Sequence, residues 1–456
     1  MQNKNLDMME NTPVNKLFFK FCIPALASNL VTTFYNIVDQ IFIGNKIGIN
    51  GNAATNVVFP AITILTAFSL MCGVGTSTNF NLLMGKGQKD KARKSVGNGF
   101  LLMVIIGLIM MIILLFFTES VLQLFGSTNV IMDLAMPYAR ICSFGFVFAI
   151  IGAAGPFIIR ADGAPIYALI CIFVGTIINI ILDVLFIFGF EWGMRGAAWA
   201  TVLGQMVSAF MVMGYVLMRF KTFHLSRKDF YPDFKLMLKL GGLGIGPGFN
   251  FLTQFLVQLC LNNVLREYGQ MSIYGSEIAL AAAGVGNKVN TIATAVVTGL
   301  TNGMQPIVSY NYGRKNYKRV IKTIEIVILS VLGISFVIFA CYQLIPIKIT
   351  SLFGTGNDLY YQFASKFFRV FFMLICLNGL QVSVSGIFSA EGRPWICLIV
   401  SGVRQVILLP PLIFVLPMLG GIEAVFWSGP IADFGMVIFA TFILIKEIKR
   451  LKNMSA

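Results

Sequence analysis

Apolar stretches long enough to cross a bilayer constrain this chain more than any other feature. A hydrocarbon core about 30 Å thick takes about 20 consecutive apolar residues in helical form. Twelve such stretches can be read along the sequence, from 15–43 at one end to 422–445 at the other. Lipid offers no partner for backbone N–H and C=O groups, so a spanning segment must be a helix or belong to a closed barrel. These stretches carry Gly and Pro and lack the alternation of barrel strands. Only 12% of residues are charged, about half the share usual in soluble domains. The expected fold class is an all-α integral membrane protein with twelve transmembrane helices.

The twelve spans read as two sets of six. Arg160-Ala161-Asp162-Gly163-Ala164-Pro165 returns 229 residues later as Ser389-Ala390-Glu391-Gly392-Arg393-Pro394. A small residue, an acid, a Gly and a Pro make a polar turn that starts a new helix. Gly85-Lys86 matches Gly313-Arg314, and Gly193 through Trp199 matches Gly421 through Trp427, both at an offset of 228. An even number of spans separates the copies, so both halves insert the same way up. This predicts two six-helix lobes related by a pseudo-twofold axis along the membrane normal. The expected division is an N-terminal lobe over 1–218, a cytoplasmic linker over 219–235 and a C-terminal lobe over 236–456. Internal repeats of this kind mark secondary transporters, with the substrate path between the halves.

The net charge of +15 is a matter of placement. If both termini lie inside, inward segments hold 25 of the 34 Lys and Arg. Lys86, Lys89, Lys91, Arg93 and Lys94 form one cluster, and Arg314, Lys315, Lys318, Arg319 and Lys322 are its repeat partner. That bias sets a multi-pass topology with cytoplasmic termini, and it removes nucleic acid as a partner. All eight cysteines fall inside apolar spans, none in a CxxC, which argues against disulfide and zinc frameworks. The only histidine, His224, lies in a basic connecting loop. No cleavable signal and no nucleotide-binding motif are visible, so an ATP-driven pump is not expected.

Ionisable groups at bilayer depth are costly and point to function. Asp39 lies about 22 residues into the first helix, and Asp183 about 18 into the fifth, both entering from inside. Asn179 sits one turn from Asp183 on the same face, and Thr201 comes about seven residues into the sixth helix, which enters from outside. These four oxygen-bearing side chains reach similar depth, which predicts one joint site. Oxygen ligands suit a hard cation, and two carboxyls in low dielectric suit a shared proton equally well. The first helix also carries a polar stripe of Ser28, Thr32, Tyr35, Asn36 and Asp39. Its counterpart in the seventh is Asn250, Gln254, Gln258 and Asn262, which has amides and no acid. Tyr35, Asn36, Gln205, Met206, Gln258 and Asn262 are the candidate substrate-cavity residues. Lys288, Arg404 and Asp433 lie near the midplane of the C-terminal half and are expected to form an ion-paired network.

The chain resembles the multidrug and toxic compound extrusion (MATE) family over nearly its full length. The carriers include Tyr35-Asn36-Ile37-Val38-Asp39-Gln40, Gly73-Val74-Gly75-Thr76, Asn179-Ile180-Ile181-Leu182-Asp183, and Gly196-Ala197-Ala198-Trp199-Ala200-Thr201. The run Gln305-Pro306-Ile307-Val308-Ser309-Tyr310-Asn311-Tyr312-Gly313 belongs with them. The pattern looks closest to the bacterial branch with its acidic site in the N-terminal lobe. The resemblance implies a plasma-membrane multidrug exporter that exchanges organic, often cationic, compounds for Na⁺ or H⁺, with no cofactor. It also implies that Asp39, Asn179, Asp183 and Thr201 couple the ion. A monomer in the lipid bilayer is expected, with drugs or toxic organic cations as partners. The alternative within the same superfamily is a lipid-linked oligosaccharide flippase. An intramembrane enzyme would need a His-based, Ser-Lys or metal constellation that the spans do not supply.

Overall fold

A computed structural model describes residues 8–127, 129–353 and 356–455. Residues 1–7 and 456, the outermost parts of the two lobes and of the expected cytoplasmic termini, lie outside them. Among the described residues the structure is helical and has no strand. The first six spans are α1 (Val14–Ile47), α2 (Ile49–Gly85), α3 (Lys89–Phe116), α4 (Asn129–Phe144 and Phe146–Ala161), α5 (Pro165–Asp183) and α6 (Gly193–Gly214). The second six are α7 (Phe234–Gln270), α8 (Gly275–Gly313), α9 (Tyr317–Leu344), α10 (Asp358–Lys366 and Ile375–Ala390), α11 (Pro394–Gly402 and Leu409–Val425) and α12 (Ser428–Ser455).

The repeat is visible in the backbone. The fourth and tenth spans are both broken, bending by 58° and 51°. Short helices, Thr118–Leu124 and Pro346–Ser351, precede them at matching places. Positive φ recurs in register at the polar turns, at Gly163 (81°) and Gly392 (75°). It recurs again at Gly193 (54°) and Gly421 (65°). Left-handed backbone is readily adopted by Gly, and here it lets each turn reverse before the next helix begins.

Ten of the spans, counting each bent pair as one, are apolar enough to cross a membrane by composition. The other two are α7 and α8, of 37 and 39 residues, which are long enough but too polar. Their polar residues mark helices facing something other than lipid. Both lie at the boundary between lobes, where α1 packs on α8 and α2 packs on α7.

The lobes meet at the end that carries the basic loops. A Cβ on Gly244 would stand 2.6 Å from the Met71 carbonyl carbon, and one on Gly75 would stand 2.9 Å from that of Leu240. The backbones of α2 and α7 can touch only because both positions are Gly. Gly299 and Gly303 of α8 press in the same way on Leu26 and Cys22 of α1. Buried Gln305 adds polar links across the seam, donating to Thr78 Oγ1 at 2.8 Å and to Val74 O at 3.4 Å. Asn29 Nδ2 reaches Ala295 O at 3.4 Å. Beyond that pair, towards the opposite end, no hydrogen bond joins α1 to α8 among the described residues, and Thr32, Phe34 and Asn36 are exposed. The lobes therefore enclose a cleft sealed at the basic end.

The connection between lobes is pinned to the first one. Buried Asp162 accepts from Tyr215 Oη (2.7 Å), Lys221 N (2.7 Å) and Thr222 N (3.0 Å), and also from Thr222 Oγ1. Asp229 is held by Arg93 Nε at 2.8 Å and caps the turn at Ser226. The helix α7 starts at Phe234, inside the expected linker, because Asp233 caps it by accepting from Leu236 N at 3.0 Å.

Candidate functional site

Close packing between α5 and α6 builds the N-lobe site. Gly204 of α6 lies against the Asn179 side chain and the Gly175 carbonyl, so Asn179 is pressed onto the neighbouring backbone. Asp183 ends the regular part of α5, and a wider π-helical turn, Val184–Gly189, follows it. Such turns often sit at functional positions because they re-aim side chains. Asn179 and Asp183 are buried, and α1 packs against α5, bringing Asp39 alongside. The carboxyls of Asp39 and Asp183 are within hydrogen-bonding reach of each other.

None of these groups is satisfied. Asp39 Oδ1, both carboxyl oxygens of Asp183, both polar atoms of the Asn179 amide and Thr201 Oγ1 are buried without a hydrogen-bond partner. Buried polar atoms normally find partners, and a lone one costs about 1–3 kcal/mol. Four side chains from α1, α5 and α6 share this defect and together form a socket lined by polar oxygens. Their donor set is oxygen-rich, which fits a hard cation or a proton. Among the described residues no group of three or more His, Cys, Asp or Glu is placed to hold a metal ion.

The structure adds residues to this socket. Tyr35, assigned from sequence to the substrate cavity, stands beside Thr201 and close to both acids. Tyr138 of α4 lies near Asp39 and Tyr35, with Cys142 one turn on. Sequence reasoning missed Tyr138, whose one available signal was a phenol placed inside an apolar span. Asn36 is exposed on the cleft side of α1, while Gln205 and Met206 are half-buried on α6. Gln205 packs against the elbow of α4 at Gly145. Ser28 and Thr32 of the polar stripe are satisfied within their own helix, donating to Pro24 O at 2.8 Å and Ser28 O at 3.0 Å.

In the second lobe, Gln258 Nε2 donates to Asn262 Oδ1 at 3.0 Å. Arg404 Nε meets Asp433 Oδ1 at 2.6 Å, and Gln405 Oε1 accepts from Arg404 at 3.4 Å. The expected three-membered network is therefore a pair. Lys288 is not part of it: it is exposed on α8 and forms no ion pair among the described residues. Equal depth on the chain did not place it on the same side of the lobe.

A family model described as MatE matches residues 24–185 and 249–415. The chain belongs to the MATE family. The multidrug export protein MepA of Staphylococcus aureus (strain MSSA476) is 26% identical over 436 residues, covering 95% of this chain and 94% of that protein. The solved MATE multidrug transporter DinF-BH superposes with a TM-score of 0.88 at 29% identity, covering 96% of each chain. An outward-facing MATE family transporter of the MOP superfamily superposes at 0.91 with 21% identity, covering 99% of each chain, which speaks to the fold alone. The twelve-helix, two-lobe architecture of this MATE chain is thus shared with solved members, and the chain is a multi-pass membrane protein.

Proposed function

We propose that this MATE chain is a secondary-active exporter of organic, often cationic amphiphiles, driven by Na⁺ or H⁺ entering at Asp39 and Asp183. The observation that carries the reading is the socket of buried, unpartnered oxygens on Asp39, Asn179, Asp183 and Thr201. Two carboxyls in bonding reach repel when both are ionised in a low dielectric, and one proton or one sodium ion relieves them. The kinship with MepA and DinF-BH supports multidrug compounds as cargo. The basic end is taken as cytoplasmic by the positive-inside bias. The sealed cytoplasmic seam then makes this an outward-facing state.

Exchange follows from linkage. The ion and the drug act on each other only if they favour different states or compete in one. In the outward-facing state the ion occupies the N-lobe socket and drug leaves through the open cleft. Return to the inward-facing state releases the ion into the cytoplasm and reloads drug. The flippase alternative is disfavoured by the acids in the N-lobe wall and by the Arg404–Asp433 pairing, which neutralises one of the two deep cations.

The test is ethidium efflux in proteoliposomes under separately imposed Na⁺ and H⁺ gradients. Asp39→Asn and Asp183→Asn should abolish gradient-driven efflux with the protein still folded and inserted. Efflux at the wild-type rate by either variant would sink the coupling role, and the gradient that drives the wild type identifies the ion.

A further inference from the structure

The geometry points to a second subsite on the C-lobe wall of the cleft, centred on Lys288 with Gln258 and Asn262, that receives the carboxylate of an amphiphilic substrate. This deepens the export reading above by naming a substrate class, and it rests on that reading's assignment of the cleft as the substrate path.

Three observations place these side chains. Lys288 lies on the face of α8 that carries Ala295, Gly299 and Gly303, seven residues and two turns before Ala295. That face closes on α1 at the basic end, through Asn29, Leu26 and Cys22. Followed towards the opposite end, it looks across the cleft at the N-lobe. One turn further on, a Cβ at Gly284 would meet nothing within 4 Å, so the face is open there. Gln258 lies two heptads beyond Gly244 on α7, hence on the face that packs on α2. Gln258 is twelve residues before the end of α7 and Lys288 thirteen after the start of α8, so the two stand at one depth on adjacent antiparallel helices.

The chemistry is that of an anion site. Lys288 has an ammonium with no acid partner, since Asp433 is taken by Arg404. Gln258 donates to Asn262 Oδ1, which leaves the Asn262 Nδ2 donors turned outward from that bond. The repeat makes the contrast sharper. Asp39 and Asn262 each stand fifteen residues beyond the proline of their helix, Pro24 and Pro247, so an amide occupies the C-lobe place of the coupling acid. One wall of the cleft thus presents carboxyls and the other a cation with amide donors. A ligand bearing a positive and a negative end would be complementary to both.

The test uses two dyes that differ by one ester: rhodamine 110, with a free carboxylate, and rhodamine 123, its methyl ester. Their dissociation constants are measured by fluorescence polarisation on the full-length protein in detergent. Lys288→Met should shift the ratio of the two constants about tenfold against rhodamine 110, the scale of one charge-assisted hydrogen bond. Lys288→Arg should keep the wild-type ratio, and Asn262→Leu should move it the same way by less. A Lys288→Met ratio within twofold of wild type, or no binding of either dye to the wild type, overturns the subsite. Gradient-driven rhodamine 123 efflux is read separately. Its absence with the dye ratio still dependent on Lys288 sinks the export reading and leaves the anion subsite standing.

Discussion

Replacing Gly244 by Ala should force the seam open. An added Cβ would lie 2.6 Å from the Met71 carbonyl carbon and 2.8 Å from Met71 Cα, both backbone atoms that cannot swing aside. Ordinary carbon contacts are about 3.5 Å, so α2 and α7 must part by roughly 1 Å to accept it. Overpacking of this kind costs about 1–3 kcal/mol. The cost falls on the state in which the lobes touch here, so the sealed form loses population about 5- to 150-fold relative to any state with the seam parted. Cys22 is a native reporter: it is fully buried in the seam against Gly303, with its Sγ donating to Leu300 O at 3.3 Å. Alkylation of Cys22 by N-ethylmaleimide, followed by mass spectrometry, should be at least about fivefold faster in Gly244→Ala than in wild type. Gly75→Ala, the opposite side of the same contact, should behave alike. Gly241→Ala is the control, because a Cβ there meets nothing within 4 Å. If Gly244→Ala protects Cys22 as well as Gly241→Ala does, with both proteins monodisperse, the seam is not held by these glycines.

Two further perturbations test other parts of the scaffold. Removing one member of the Arg404–Asp433 pair strands a buried charge, a loss of about 3–5 kcal/mol. The swapped double variant should recover part of the thermal stability lost by each single change in detergent, and failure to recover any would argue against direct pairing. Burial first, and then the charge of Glu447, hold the Glu391 carboxyl well above the ordinary range, against the pull of Arg393 and Arg450. The folded protein therefore keeps a proton that the unfolded chain releases near pH 4.3. Stability should fall as pH rises from about 5 towards 8. Glu391→Gln should flatten that slope, and an unchanged melting profile would reject the assignment.

The spans, the duplication and the depth of Asp39, Asn179, Asp183 and Thr201 were legible because each follows from periodicity or counting along one helix. What lay beyond reach depends on azimuth between helices. Lys288 and Arg404 share a depth, yet they sit apart, because depth says nothing of which side of a helix faces which neighbour. Tyr138 stands near the acids on α4, a span whose 58° bend no apolar count reveals. Gly241, Gly242 and Gly244 look alike along the chain, and the structure separates them sharply. Gly244 touches α2, whereas Gly241 and Gly242 face open space. The linker looked like a plain polar boundary, but Asp162 and Asp229 tether it through backbone N–H groups whose direction the sequence does not encode.

One helix links the socket at Asp39 to the seam, and this would give the proposed exchange a mechanical basis. Cys22, Leu26 and Asn29 of α1 close on α8, and Asp39 lies ten residues beyond Asn29, about 15 Å along the same rod. Any tilt or bend of α1 that reshapes the contacts around Asp39 must also move the residues that Gly299 and Gly303 accept. The clearance at those glycines is too small to absorb it, since a Cβ there would already clash with α1 backbone. The seam is therefore either closed or parted, with little room between. An ion that binds Asp39 and Asp183 more tightly in one of those arrangements shifts the balance by its differential affinity, and by no more than that. Parting the seam with Gly244→Ala should accordingly change the apparent ion affinity of the socket, although Gly244 is in the other lobe and touches neither acid.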